Sequence, residues 1–363
     1  MTATPCPRPW KKGFEIELLA PPGRSRKDLA NTIAARIGGT VRVCFYPQSE
    51  PSLVPDLPVF ETLVLGFEIL DPAGERVALC VDDLTLRADL NRNAPARPGW
   101  YRVLSDDARL LALVERHCDP QAPLEQVLQP LADLFGTRVE LTEGGMSKAV
   151  DHLARSIAML APIPGERERP CELITAPFAD DPGPALAALL ADARALGFTV
   201  PVEAAVHVHY DAAPLRSART LSRLVTFLAR HGSQLRNLVG TNPHCVRLGP
   251  VADTLVDLVG SEAFLAADWD DARAMLIAAK PTKYADFNLL NLAHELPGKT
   301  TFEARIFPGS MAVEDILRNA RLMEAVLVWA VGDDCLPDDA DLMASLALSP
   351  ADRTVWASRT VQA

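Results

Sequence analysis

The chain lacks the marks of several function classes. No run of about twenty apolar residues occurs, so neither a membrane-spanning helix nor a membrane partner is expected. No charged segment followed by a short apolar one stands near the start, so the expected location is the cytoplasm. Positive charge is in short supply, with 36 Lys and Arg against 47 Asp and Glu and a net charge of −11. That balance argues against a nucleic-acid partner, and the one basic cluster, PGRSRK at 22–27, reads as a solvated loop. CxxC spacing is missing, because the seven cysteines are scattered from Cys6 to Cys335. An odd, dispersed set fits reduced thiols rather than a disulfide framework or a structural zinc site.

Phosphate loops and nucleophile motifs are also missing. There is no Walker A loop and no GxSxG elbow. Two lone glycine pairs, Gly38-Gly39 and Gly144-Gly145, read as turns. His117-Cys118 and His244-Cys245 are sequence neighbours whose side chains point apart, a poor geometry for a nucleophile and its base. No internal repeat or low-complexity linker interrupts the chain.

What is present is an ordinary globular composition, 48% hydrophobic and 23% charged over 363 residues, enough for one large domain or two or three smaller ones. Strand and helix signals are mixed. GFEIELLA alternates as a strand. SRKDLANTIAARIGG carries Leu29, Ile33 and Ile37 at helical spacing and ends at its glycines. TVRVCFYP and ETLVLGFEIL read as strands around a proline-rich loop at 47–58, and DPAG at 71–74 turns into a further strand. Helical spacing is read over 105–135 and 145–160, and again at 183–198 and from about 215 to 231. CELITAPF and VEAAVHVHYD are strands, and the segment after about 348 is expected to be a polar, weakly ordered tail. No regular βαβ phosphate unit appears, so the fold class is α+β with an antiparallel sheet.

Three strands carry paired polar residues. In FEIEL, Glu15 and Glu17 share one face while Phe14, Ile16 and Leu18 take the other. In VHVHYD, His207 and His209 share a face, and in FEARIF, Glu303 and Arg305 do. Taken singly, each has a plain structural reading: a solvated face, a polar sheet face, a structural ion pair. Three such strands are harder to dismiss, because antiparallel neighbours could bring all six side chains over one concave sheet face.

GFEIE, ELITAPF, HVHYDA, KYADFNLLNL and TTFEARIFPGS, in that order, resemble the amidoligase family, which is related to glutamine synthetase and the glutamate–cysteine ligases. The resemblance implies ATP-dependent amide-bond formation through an acyl phosphate on an amino acid or peptide, with small-molecule or peptide carboxylate and amine substrates. It also implies an antiparallel sheet curved into a funnel, with helices outside it and magnesium (or manganese) and ATP within. Carried over by motif, Glu15, His207 and Glu303 would hold one metal, and Glu17 and Glu172 a second. His209 and Arg305 would act on phosphate oxygens. Asn288 would position substrate or phosphate, or else bond backbone at a helix start.

The chain departs from the family pattern at Ala304, where an aromatic is common, and at Leu84-Thr85 after Asp82-Asp83, which leaves those two aspartates without a family role. The expected organisation is an arm at 1–12, a catalytic domain over 13–348 with a specificity insertion around 87–170, and a tail at 349–363. A homo-oligomer is compatible with this reading. Two other functions share the same residues: a divalent-metal hydrolase, and an inactive binding protein of the same fold. Arg305 favours ATP over water activation, and retention of all six paired residues argues against an inactive protein.

Overall fold

The protein is described by a computed structural model that covers residues 10–51, 59–142, 146–245, 248–295, 298–337 and 342–360. Most of the expected arm, the Gly144-Gly145 pair and the end of the proline-rich loop lie outside the described residues. The strands are β1 (Lys12–Leu19), β2 (Thr40–Pro51), β3 (Val59–Leu70), β4 (Arg76–Val81), β5 (Tyr101–Leu104) and β6 (Val139–Leu141). They continue as β7 (Ser147–Val150), β8 (Ser156–Pro162), β9 (Pro170–Thr175), β10 (Ala205–Asp211), β11 (Phe287–Asn288) and β12 (Thr301–Pro308). Mixed with helices, they make an α+β protein with an antiparallel sheet. Among the described residues, no helix is long and apolar enough to cross a membrane.

The chain divides into two compact units. The first comprises Met1–Ile16, Pro177–Leu190 and Val202–Ala363, and the second Glu17–Ala176 and Ala191–Pro201. β1 contributes residues 12–16 to the first and 17–19 to the second.

In the first unit the strand order is β11-β12-β10-β1. The alternation read from the sequence holds: Phe14, Ile16, Val208, Tyr210, Phe302, Ala304 and Ile306 are buried on one side. Ala304 sits opposite Val208 and Phe287, so its small side chain is a packing feature. The helix Val313–Val331 is tied to this sheet where the Tyr210 hydroxyl donates to the Ala320 carbonyl at 2.8 Å. The helix Ala218–Val239 buries Leu221, Leu224, Leu228 and Leu235 along one stripe and ends at Gly240 in the left-handed region.

The weakly ordered tail is corrected. Pro350–Thr360 is a helix with Trp356 fully buried. Ser349 accepts from the Asp352 amide at 3.1 Å, and Asp352 takes a fork of two 2.8 Å bonds from Arg321. A serine, a proline at the first helical position and a buried tryptophan anchor a segment that looks polar in one dimension.

In the second unit the order is β1-β9-β4-β3-β5-β8-β7-β6, with β2 on β3. The sheet is open and uncurled, which corrects the curved funnel. Its edge strand β6 spans only 139–141, too short to offer backbone groups for closure. The helix read over 145–160 is also corrected, because β7 and β8 lie there as a hairpin. Asp151 closes its turn by accepting from the Leu153 and Arg155 amides, a local bond that overrides helical spacing. Gly38 and Gly39 form a turn as expected: Gly38 caps the helix Arg26–Ile37 at φ 68°, and a Cβ on Gly39 would stand 2.0 Å from the Leu70 carbonyl oxygen.

The basic cluster is not all solvated. Ser25 and Asp28 make a capping box, and Arg26 is fully buried in the second unit. Its guanidinium donates to the Arg167 carbonyl at 2.6 Å, lies 3.8 Å from Asp82 and stacks 4.6 Å above the Trp100 ring centroid. Asp82 in turn receives Arg167 at 2.6 Å, and Asp83 accepts from the Thr85 amide. Asp82 thus serves this buried network, while the Asp83 carboxylate closes a local turn. Arg26→Ala is expected to cost about 3–5 kcal/mol, since it removes a buried cation from its partners. Urea unfolding checks this, and a loss below about 1 kcal/mol would show that Arg167 alone satisfies Asp82.

Candidate metal and phosphate site

Register brings the polar pairs of the first unit together. Glu15 on β1 lies opposite His207 on β10, and His209 lies opposite Glu303 on β12. Asn288 on β11 lies opposite Glu303 from the other side. Directly opposed residues of antiparallel strands hold their Cβ atoms about 4.5–5.5 Å apart, close enough for their polar ends to meet. Between the pairs Val208–Ala304 and Val206–Phe307 the register shifts by one, with the extra residue on β12 beside Arg305.

The resulting distances are short. His209 Nε2 is 3.1 Å from Glu15 Oε1 and 3.8 Å from Glu303 Oε1. His207 Nδ1 is 3.3 Å from Glu15 Oε2 and 3.6 Å from Glu303 Oε1. Arg305 Nη1 donates to Glu303 Oε1 at 2.7 Å, and Asn288 Nδ2 donates to Glu303 Oε2 at the same distance. The Glu303 carboxylate, only 3% exposed, is thus held in one orientation by donors on both oxygens. Asn288 also accepts from the Leu290 amide at 2.8 Å, so it bonds backbone at the start of the helix Leu290–His294 while it orients Glu303.

Burial and charge oppose each other here. Burial pushes the Glu15 carboxyl up, but the charge of His209 and a hydrogen bond from His207 hold it well below the usual range. Glu303 is likewise pushed up by burial and held low overall by His209 and Arg305. Burial would lower His209, yet Glu15 and Glu303 together raise it to about 9. An imidazolium therefore balances the two carboxylates in the protein as it stands.

Sequence reasoning missed Thr301. Its hydroxyl lies 2.9 Å from His209 Nδ1 and fixes the ring while Nε2 faces the carboxylates. The signal was available, because Thr301 shares its strand parity with Glu303 and Arg305. Of the other expected residues, Glu17 on β1 is buried and Glu172 is on β9 opposite Val81, both in the second unit.

The donor set suits a divalent cation. Ligand atoms of Glu15, His209 and Glu303 lie within 4.8 Å of one another. The sequence places His207 in that trio and His209 on phosphate, and His207 Nδ1 is close to the same two carboxylates, 3.3 Å from Glu15 and 3.6 Å from Glu303. Two carboxylates suit magnesium and manganese, and an imidazole adds affinity for manganese. Comparison with known families then decides the relationship: a family profile described as "putative amidoligase enzyme" matches residues 8–327 of the chain. The chain belongs to that family. No curated protein and no solved structure matches it. The amidoligase assignment spans both compact units and takes in the strands that carry Glu15, His209 and Glu303. Family membership suggests that this amidoligase is a ligase that makes amide bonds.

Proposed function

We propose that this amidoligase is an ATP-dependent carboxylate–amine ligase working through an acyl phosphate, on an amino acid or peptide. One observation carries the reading: the converging donors of Glu15, His209 and Glu303, with the Arg305 guanidinium 2.7 Å from Glu303. Cation ligands beside a phosphate-binding cation suit nucleotide chemistry, where catalysis is mostly positioning and charge neutralisation. Descent from a glutamine synthetase-like catalytic fold, and a cytoplasmic location where ATP is supplied, belong to the same proposal.

In the reaction, a substrate carboxylate oxygen attacks the γ-phosphorus and the bond to ADP breaks. The amine nitrogen then attacks the acyl carbon, phosphate leaves, and the amine proton passes to solvent. Arg305 meets the negative charge gathering on the transferred phosphoryl oxygens. Glu303 fixes the Arg305 guanidinium, and Asn288 fixes Glu303. Glu15, His209 and Glu303 would hold one cation, with His207 beside them, and Glu17 and Glu172 a second. When bound, magnesium or manganese supplies neutralising charge to the polyphosphate. Calorimetric titration of ATP, with and without magnesium, tests the reading. Magnesium-dependent binding supports it, and no binding by the folded protein in either condition overturns it.

Cation binding is also expected to depend on pH. With His209 raised to about 9, its ring is protonated at pH 7 and must lose that proton to become a ligand. Manganese affinity should therefore rise by about tenfold per pH unit from pH 7 towards 9 and level off above. Calorimetry across that window checks this, and a flat profile would remove His209 from the donor set.

A further inference from the structure

The first unit holds a second polar cleft that the ligase chemistry does not use. It has a volume of about 130 Å³ and lies where β12 ends at Pro308 and the chain turns through Gly309 and Ser310 into the helix Val313–Val331. The space is about that of four waters, enough for a phosphate or a carboxylate group.

Its lining is built for negative charge. Asn319 is only 6% exposed, lines the cleft and has no hydrogen-bond partner among the described residues. Its amide opens onto the cleft and is available to bond a group held there. Arg318 and Asp315 both line the cleft, paired with each other at 2.8 Å, so their charges largely cancel. Arg359 has no acidic partner among the described residues and brings the remaining positive charge, its guanidinium 5.0 Å from the Trp356 ring centroid. The Ser310 hydroxyl accepts from the Ala312 amide at 3.0 Å, which leaves its own proton to donate. The long helix beginning here has Ala312 at its N-cap, a residue with no side chain to satisfy the first-turn amides.

We infer that this cleft is a binding site for an oxyanion group, a carboxylate or a phosphate of a small molecule, separate from the cation cluster. Asn319 and Arg359 bind the oxygens, and the Trp356 face holds the guanidinium in place. Calorimetry on the full chain, without divalent cations, tests the inference with sodium phosphate and sodium acetate as separate probes. Saturable binding of at least one probe is expected, and the probe that binds identifies the group. Asn319→Leu and Arg359→Gln should each weaken it at least tenfold, while Arg305→Gln should leave it within twofold. Arg359 is only partly buried, so Arg359→Gln keeps the test decisive if Asn319→Leu fails to fold. The inference is overturned if neither probe binds, if Arg359→Gln binds as the wild type does, or if Arg305→Gln abolishes binding.

Discussion

Glu15→Gln is expected to lower the affinity for manganese or magnesium by about a hundredfold or more, with magnesium-dependent ATP binding falling in step. Loss of an outer residue that merely orients a metal ligand typically costs about 10–100-fold, and Glu15 would be a ligand itself. The substitution keeps the shape of the side chain and removes its charge. It takes one of two carboxylates away from His209, whose Nε2 lies 3.1 Å from Glu15. The His209 pKa should then fall from about 9 towards its ordinary value, a shift that NMR titration reads in the absence of any metal. The fold should persist, because the apolar face of β1, with Phe14 and Ile16, is untouched. Unchanged nucleotide affinity in a folded Glu15→Gln protein would count heavily against the site.

Arg305→Gln should act on turnover. Removing a single group that meets developing charge usually costs about 10²–10³ in kcat, and a similar loss of ATP-dependent phosphate release is expected. Cation affinity should hold or tighten, since Glu303 Oε1 would lose its 2.7 Å partner and become a better ligand. Arg305→Lys should recover only part of the rate, because an ammonium cannot reproduce the planar fork. A variant that loses cation binding and turnover together would instead make Arg305 a structural support for Glu303. The opposite directions expected for cation affinity in the Glu15 and Arg305 variants separate a ligand from a phosphate-binding cation.

Much of this site was legible in one dimension because it is built on strands. A period of two is strict, so Glu15 with Glu17, His207 with His209, and Glu303 with Arg305 can each be assigned to a face from the sequence alone. The same rule placed Phe14, Ile16, Phe302 and Ile306 in the core, where they are. Hairpin and helix signals such as DPAG and the Gly38-Gly39 stop were equally local, and local chemistry decides them.

Other features depended on long-range packing. Arg26 looks solvated beside Arg24 and Lys27, yet Asp82, Trp100 and two carbonyls gather around its side chain. Trp356 and Asp352 read as part of a tail until Arg321 and the core receive them. The hairpin of β7 and β8 beat the helical spacing of 145–160 through one aspartate turn.

By itself, the sequence determined which side chains share a face, and hence that carboxylates, imidazoles and a guanidinium would be presented together. Only the tertiary structure decided which of them meet. Register set Glu15 opposite His207 and His209 opposite Glu303, and both rings stand within 3.8 Å of both carboxylates. Register is a property of pairs of strands far apart in the chain, fixed by the burial of whole faces, and no single strand encodes it.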